Sequence, residues 1–314
     1  MKNFNITKFM MLALLASFTL LFACKKDEEM PQNTGIVGVL QANSDYSLLK
    51  SALVRTDLLT VIDGQGPFTL FAPTNAAFIR AGLNADQINT MDKQDLKNIL
   101  LYHVLNNEVT SSEIAIANNT LVNTAANQNI YVTRNNTGVY VNGATVLNAD
   151  IKTSNGVIHS IDDVMMPPTS HIWDKIQAHP SYSFLEQAIL RAGQGSTMVS
   201  QLLSGNGPYT VFAPTNQAFI NAGYTTLASI QMADTEVLGK ILKYHVVSGQ
   251  KLSTDLKDGE KLTTLQLGQV TVSMGATTKI VGSGSTRLAS ILDPNNLASN
   301  GVIHVIDEVL IPNN

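Results

Sequence analysis

The residues GPFTLFAPTNAAF at Gly66–Phe78 recur as GPYTVFAPTNQAF at Gly207–Phe219. In each copy a short apolar run meets a proline, which is followed by threonine and asparagine. In the first copy, Phe68–Phe71 is predicted to form a strand that Pro73 ends. Thr74, or the asparagine after it, can cap the free N–H groups of the helix that follows. The pattern therefore predicts a strand and a helix in direct succession, twice in the chain.

Two further motifs recur in the same order. Tyr102-His103-Val104 reappears as Tyr244-His245-Val246, and Asn155–His159 reappears as Asn300–His304. A period this long indicates tandem globular domains, because solenoid repeats are much shorter. The two halves of the chain are therefore predicted to share one fold.

The boundary between the two domains is predicted at a pair of prolines. Pro167 and Pro168 exclude both helix and ladder pairing at this point. We place the first domain at residues 35–168 and the second at residues 169–314. Residues 24–34 contain few apolar side chains and are predicted to form a tether.

The Tyr-His motif ends a segment with helical spacing. Apolar residues and the histidine recur three and four positions apart in both copies, at Leu96, Ile99, Leu100 and His103, and at Leu238, Ile241, Leu242 and His245. This spacing predicts a helix that turns each histidine inward and leaves Tyr102 and Tyr244 one step off the apolar stripe. Asp92 and Asp234 are predicted to cap the two helices.

The segment after Asn155-Gly156 is predicted to be a central strand. Val157, His159 and Ile161 alternate onto one face, and Ile158 lies on the other. The segments Asn129–Thr133 and Gly138–Val141 are predicted to form a hairpin.

Together, the ordered motifs resemble the fasciclin (FAS1) domain. The set T-[LV]-F-A-P-T-N-x-A-F, Y-H-V and N-G-V-I-H-x-I-D occurs twice, in order, between residues 35 and 314. The resemblance implies an α+β fold with two tandem FAS1 domains, each a twisted β-sheet wedge with helices packed at one side. It also implies adhesion to cells, matrix or extracellular polymers.

The same resemblance implies candidate adhesion residues. They are the Tyr-His pairs, Tyr102 with His103 and Tyr244 with His245, and the Asp-Ile pair Asp150-Ile151. The second repeat departs from the Asp-Ile pattern, because Asp293–Leu297 reads DPNNL. For the Tyr-His pairs, a structural role and direct contact with a partner both stay open, and the inward histidines favour the structural role.

The N-terminal residues resemble a bacterial lipoprotein signal peptide. Lys2 and Lys8 precede Phe9–Phe22, a run of 14 residues without charge, which is shorter than the roughly 20 that span a membrane. Leu21–Cys24 reads LFAC, like a lipobox, and Cys24 is the single cysteine. We therefore predict cleavage after residue 23 and acylation of Cys24. The alternative is an ordinary secretory signal with a coincidental cysteine.

Composition narrows the possible partners. The net charge of −4 would become −6 once residues 1–23 were removed, and the chain contains no basic run that could neutralise a phosphate backbone. Nucleic acid is therefore not expected as a partner. The sequence has no G-x-S-x-G, phosphate-binding glycine loop, H-E-x-x-H or EF-hand pattern. The sequence therefore predicts no catalytic activity, no metal site and no cofactor.

The histidines support the same conclusion. Four of the six are two equivalent pairs on apolar faces: His103, His159, His245 and His304. Buried imidazoles that hydrogen-bond to the backbone explain this placement better than a metal site. The single tryptophan, Trp173, lies in an apolar pattern and is predicted to pack at the domain boundary or in a core.

Taken together, the sequence predicts a non-enzymatic lipoprotein anchored by its acyl chains in the outer membrane, at the cell surface. The charged residues Lys26–Glu29 resemble a surface-targeting signal. The expected partner of the lipoprotein is an extracellular polymer, glycan or protein. Two alternatives are an accessory lipoprotein that captures a glycan or peptide for a nutrient-uptake system, and a purely structural envelope protein.

Overall fold

The computed structural model describes residues 34–195 and 198–313, which form two domains built on the same plan. Each domain joins a group of short helices to a seven-stranded mixed sheet, which confirms the predicted α+β class. The signal-peptide prediction, the lipidation prediction at Cys24 and nearly all of the tether lie outside the described residues.

The first domain contains six α-helices and seven strands. The helices are α1 Ile36–Ala42, α2 Ser47–Arg55, α3 Leu59–Ile62, α4 Asn75–Arg80, α5 Ala85–Thr90 and α6 Lys93–Tyr102. The strands are β1 Phe68–Pro73, β2 Val104–Leu105, β3 Ala117–Asn123, β4 Asn129–Asn135, β5 Gly138–Val141, β6 Ala144–Thr153 and β7 Gly156–Ile161. A single 3-10 turn, Ser44–Tyr46, precedes α2.

The second domain repeats this order. Its helices are α7 Ile172–Ala178, α8 Ser183–Ala192, α9 Val199–Ser204, α10 Asn216–Asn221, α11 Leu227–Gln231 and α12 Thr235–Tyr244. Its strands are β8 Tyr209–Pro214, β9 Val246–Ser248, β10 Lys261–Thr263, β11 Gln269–Ser273, β12 Lys279–Gly282, β13 Ala289–Ala298 and β14 Gly301–Ile306. Short 3-10 turns lie at Pro180–Tyr182 and Ser253–Asp255.

The two sheets have equivalent strand orders. The first runs β2-β1-β7-β6-β5-β4-β3, and the second runs β10-β11-β12-β13-β14-β8-β9. β1 pairs with β7, and β8 with β14, in parallel, while the other pairs are antiparallel. All six residues of β7 are buried, which confirms the predicted central strand. The predicted hairpin is confirmed as β4 and β5.

The first strand ends at Pro73, as predicted, but it includes this proline and is two residues longer than the predicted Phe68–Phe71. β1 runs through Pro73, which pairs with Ile161 of β7. The N–H of Thr74 points to β7, so the nitrogen of Pro73 faces the opposite side of the strand. There β2 pairs only with Thr69 and Leu70, so Pro73 needs no N–H donor. Thr74 caps α4 through its side chain, as predicted.

Each sheet separates two clusters of buried apolar residues. In the first domain, Leu70 and Ile158 face the helices, whereas Phe71 and Ile161 face the hairpin strands β4 and β5 on the other side. The second domain repeats this division. Trp173 packs on the helical cluster of the second domain, as predicted.

An apolar contact joins the two domains. Tyr131 of β4 packs against a small cluster in the second domain formed by Leu252, Leu297 and Val302. Leu252 and Val302 are fully buried. The first domain therefore covers apolar surface that the second would otherwise expose.

Polar contacts continue this interface. The side-chain amide of Asn119 donates to the Asp255 carboxylate at 2.6 Å. At Gly143 the backbone has a φ of +87° and lies so close to Asn295 that an added Cβ would be 2.0 Å from the amide nitrogen. Only glycine fits both the conformation and the space, so this residue allows the domains to approach.

Candidate functional site

The Tyr-His motif lies where α6 ends. Asp92 caps the start of the helix, as predicted, by accepting hydrogen bonds from the N–H groups of Gln94 and Asp95. The helix ends at Tyr102, one residue earlier than the spacing predicted, and His103 occupies the C-cap position. Its side chain is nevertheless buried, which confirms the inward orientation.

Both nitrogens of the His103 ring bind backbone groups. Nε2 accepts from the N–H of Met165 at 2.9 Å, so the ring proton lies on Nδ1 and donates to the Ile99 carbonyl at 2.7 Å. The second domain repeats this arrangement through His245, Leu310 and Ile241, at 2.9 and 2.8 Å. Each histidine thus ties the end of a helix to the segment after the last strand of its domain.

Burial keeps these two imidazoles neutral. Desolvation lowers the pKa of His103 and of His245 from 6.5 to about 4. A neutral ring with one donor and one acceptor matches its two backbone partners and has no nitrogen left to take up a proton or bind a metal. His103 and His245 therefore have a structural role.

The tyrosines are buried more deeply than their position off the stripe suggested. Tyr102 and Tyr244 are both 0% exposed. Each belongs to the buried apolar cluster on the side of its sheet opposite the helices. The Tyr102 hydroxyl donates to the Asn129 carbonyl at 2.9 Å and accepts from the Asn142 amide at 3.0 Å. Neither member of the motif presents its side chain to a partner in the folded domain.

Asp150 occupies a bulge in β6. Its φ of +59° is in the left-handed region, where aspartate and asparagine are among the more tolerated side chains. The carboxylate accepts from both the N–H and the hydroxyl of Ser111, and the Asp150 N–H donates to Nδ1 of His159 at 3.2 Å. Desolvation opposes ionisation, but the Ser111 hydrogen bonds outweigh it and lower the pKa of Asp150. Its neighbour Ile151 packs against the helical core.

The second domain builds the same bulge with asparagine. Asn295 has a φ of +63°, binds the N–H and hydroxyl of Ser253 and donates its N–H to His304. The sequence showed this segment as a departure from Asp-Ile, whereas the structure makes Asn295 equivalent to Asp150. The signal that could have revealed this is the preference of both residue types for positive φ. Here the bulge is covered by Gly143 of the first domain.

The grouping of Ser111, Asp150 and His159 does not form a catalytic relay. The imidazole contacts the aspartate backbone, and its Nε2 donates to the Val109 carbonyl at 2.8 Å, so it cannot accept a proton from the serine. No group of three or more metal-ligating side chains occurs among the described residues. Within residues 34–195 and 198–313, no helix is both long and apolar enough to cross a bilayer.

The asparagine at the start of each N-G-V-I-H motif, Asn155 or Asn300, holds parts of its domain together. Asn300 accepts from the N–H of Ile172 at 2.8 Å and donates to the carbonyls of Leu203 and Gly205 at 2.8 and 2.9 Å. Asn155 makes the equivalent contacts in the first domain. Each side chain therefore fastens the first helix of its domain to the loop before the first strand.

Asn300→Ala is expected to lower the free energy of unfolding of the second domain by about 2 kcal/mol, because it leaves buried backbone groups unpaired. Trp173 is the single tryptophan and packs in that domain, so its fluorescence during urea unfolding reports the change. Asn136→Ala, at an exposed turn, is the control. An unchanged midpoint for Asn300→Ala would contradict this role.

The profile of the fasciclin domain family matches residues 44–167 and 185–312. The chain belongs to the fasciclin family. The matched segments contain both Tyr-His motifs and both bulges, so the geometry described above is that of two fasciclin domains.

Several curated relatives are similar to this chain. Pig transforming growth factor-beta-induced protein ig-h3 is 31% identical over 302 residues, covering 92% of this chain and 42% of that protein. Human periostin is 28% identical over 286 residues, covering 88% and 32%. The chain thus spans less than half of these two relatives. Protein sll1483 of Synechocystis sp. is 38% identical over 137 residues, which are 42% of this chain and 73% of that protein.

Among solved structures, the fasciclin pair resembles a FAS1 domain pair from the insect cell adhesion molecule fasciclin I. The match has 21% identity and a TM-score of 0.43, and it covers 86% of this chain and 98% of that chain.

Proposed function

We propose that this fasciclin protein is a lipid-anchored surface protein that binds a polymer of neighbouring cells or matrix without catalysis. The observation that carries the proposal is the pair of fasciclin domains, which occupies most of the chain. Adhesion is the property that the family resemblance implies. The partner would be an extracellular polymer, glycan or protein.

The anchor in this proposal is Cys24. Residues 1–23 would be removed, the cysteine acylated, and residues 24–34 would hold the domains, at 35–168 and 169–314, away from an outer membrane. Two or more acyl chains on one cysteine give stable attachment, whereas one chain binds only marginally. The apolar run before LFAC at Leu21–Cys24 supports this assignment.

The non-catalytic role is supported by how the polar side chains are used. In both domains the buried histidine at the helix end forms hydrogen bonds to backbone groups through both ring nitrogens. Of the candidate adhesion residues, Asp150 keeps a partly accessible side chain, whereas Tyr102 and Tyr244 are enclosed. A contact surface would therefore use exposed parts of the domains instead of the Tyr-His pairs.

One experiment tests anchor and adhesion together. Cells producing the wild type or Cys24→Ser are allowed to settle on immobilised matrix polymers, and the membrane fraction is assayed for the protein. Cys24→Ser should lose acylation, leave the membrane and remove the protein-dependent cell attachment. Attachment equal to that of cells lacking the protein, with wild type present at the surface, would refute adhesion. Membrane retention of Cys24→Ser would refute the lipid anchor.

A further inference from the structure

A groove runs along the junction of the two fasciclin domains. We define the interdomain groove by Arg80, Asp163, Lys175, His179, Tyr182 and Asp293. It consists of a cavity of about 530 Å³ lined by both domains and an adjoining cavity of about 370 Å³ lined by the second domain alone. The two linings share Lys175, His179, Asp293 and Asn296. The shared residues place the two cavities side by side. Two neighbouring cavities suit successive units of a linear polymer, and domain interfaces are common ligand sites.

The walls of the groove are held by fixed contacts. Tyr131 packs on the second domain, and Gly143 lies against Asn295, which is next to the groove. The groove is therefore present before any ligand arrives, which reduces the entropic cost of binding.

Each wall contributes one cation and one carboxylate. The first domain supplies Arg80 and Asp163, and the second supplies Lys175 and Asp293. Desolvation raises the pKa of Asp163 and lowers the pKa of Lys175, so both groups lack part of their water shell. Neither Arg80 nor Lys175 forms an ion pair within the described part of the chain. One oxygen of Asp163 accepts from the Val164 N–H and one oxygen of Asp293 accepts from the Asn296 amide, so the other oxygen of each carboxylate remains for a ligand.

The balance of charge selects the ligand class. An anionic polymer would meet Asp163 and Asp293, and a cationic one would meet Arg80 and Lys175. A sugar hydroxyl can accept from an ammonium or guanidinium group and donate to a carboxylate, so neighbouring hydroxyls satisfy both signs at once. The exposed ring of His179, which packs against the largely buried Tyr182 at 5.0 Å between centroids, adds a surface of lower polarity.

We propose that the interdomain groove binds a segment of a neutral, hydroxyl-rich polysaccharide. The inference rests on the proposed adhesive function and names both its site and its ligand class. Lys175 and Asp293 hydrogen-bond to sugar hydroxyls from one wall, and Arg80 and Asp163 do so from the other. The ligand touches both domains, so binding depends on the pair.

Calorimetric titration of the full chain tests the groove. The probes are cellohexaose, maltohexaose and mannohexaose, with hexagalacturonate as an acidic counterpart and gelatin as a protein counterpart. At least one neutral hexasaccharide should bind, and Lys175→Gln and Asp293→Asn should each weaken it about tenfold. The exposed control variants Lys240→Gln and Asp45→Asn should remain within about twofold of wild type.

A second measurement on the unaltered protein does not depend on how the variants fold. The bound hexasaccharide should protect Lys175 from reductive methylation while Lys240 reacts as before. Unchanged affinity in both groove variants together with an unprotected Lys175 would refute the groove, although cell attachment could still stand. Binding of hexagalacturonate or gelatin, without a neutral hexasaccharide, would refute the ligand class. Loss of the proposed function itself would appear separately, as absent cell attachment.

Discussion

His245→Ala is expected to lower the free energy of unfolding of the second domain by about 3–5 kcal/mol. The substitution leaves a cavity in a fully packed region. It also removes the hydrogen-bond acceptor of the Leu310 N–H and the side-chain donor to the Ile241 carbonyl. Since the free energy of unfolding of small domains is only about 5–15 kcal/mol, this loss would remove a large part of the stability of the domain. Urea unfolding followed by Trp173 fluorescence measures the loss directly.

His103→Ala provides the matched control. It should destabilise the first domain equally by circular dichroism, yet leave the Trp173 transition close to that of wild type, because Trp173 packs in the other domain. His171→Ala, at a largely exposed side chain near Asp174, should change neither transition by more than about 0.5 kcal/mol. If both motif variants unfolded like wild type and instead lost polymer binding, the Tyr-His pairs would be contact residues.

Acid should destabilise both domains through the same two imidazoles. Their pKa is about 4 when folded and 6.5 when exposed, so the unfolded chain binds the proton first. The stabilising contribution is complete above pH 6.5 and is lost as the pH falls towards 4. Since one pH unit corresponds to about 1.4 kcal/mol, the loss is about 3 kcal/mol for each ring. Burial also lowers the pKa of His304, which adds in the same direction.

The urea midpoint of the Trp173 transition should therefore fall between pH 7 and pH 4.5. His245→Gln, although less stable at pH 7, should show a shallower dependence over this window, because one of the two buried imidazoles of the second domain is gone. A wild-type midpoint that stayed constant across the window would show that the folded domain accommodates a charged imidazole.

The fold was predictable where one repeat unit determines its own local structure. The capping residues Asp92 and Thr74, the central strand after Asn155 and the hairpin all follow from side-chain chemistry within a few positions. The position of Pro73 inside β1 did not follow, because it depends on how far the neighbouring strand extends.

The candidate site was less predictable because its contacts are distant in sequence. The spacing placed His103 inward, but its partner Met165 is 62 residues away. The interdomain contact between Gly143 and Asn295 depends on how the copies dock, and no single repeat contains that information. The equivalence of Asp150 and Asn295 lies in their backbone conformation, so a comparison of residue types in the two repeats does not reveal it.

The strand order has a consequence for how the chain is made. β7 lies between β1 and β6, and β14 lies between β8 and β13, so an interior strand of each sheet is the last strand of its domain to leave the ribosome. Until Gly156–Ile161 has emerged, β1 has no parallel neighbour, and His103 has no Met165 to bind. Each domain can therefore complete its sheet only once its last strand has been synthesised. A chain cut short within that strand would leave the facing edges of β1 and β6, or of β8 and β13, open to pairing with other chains.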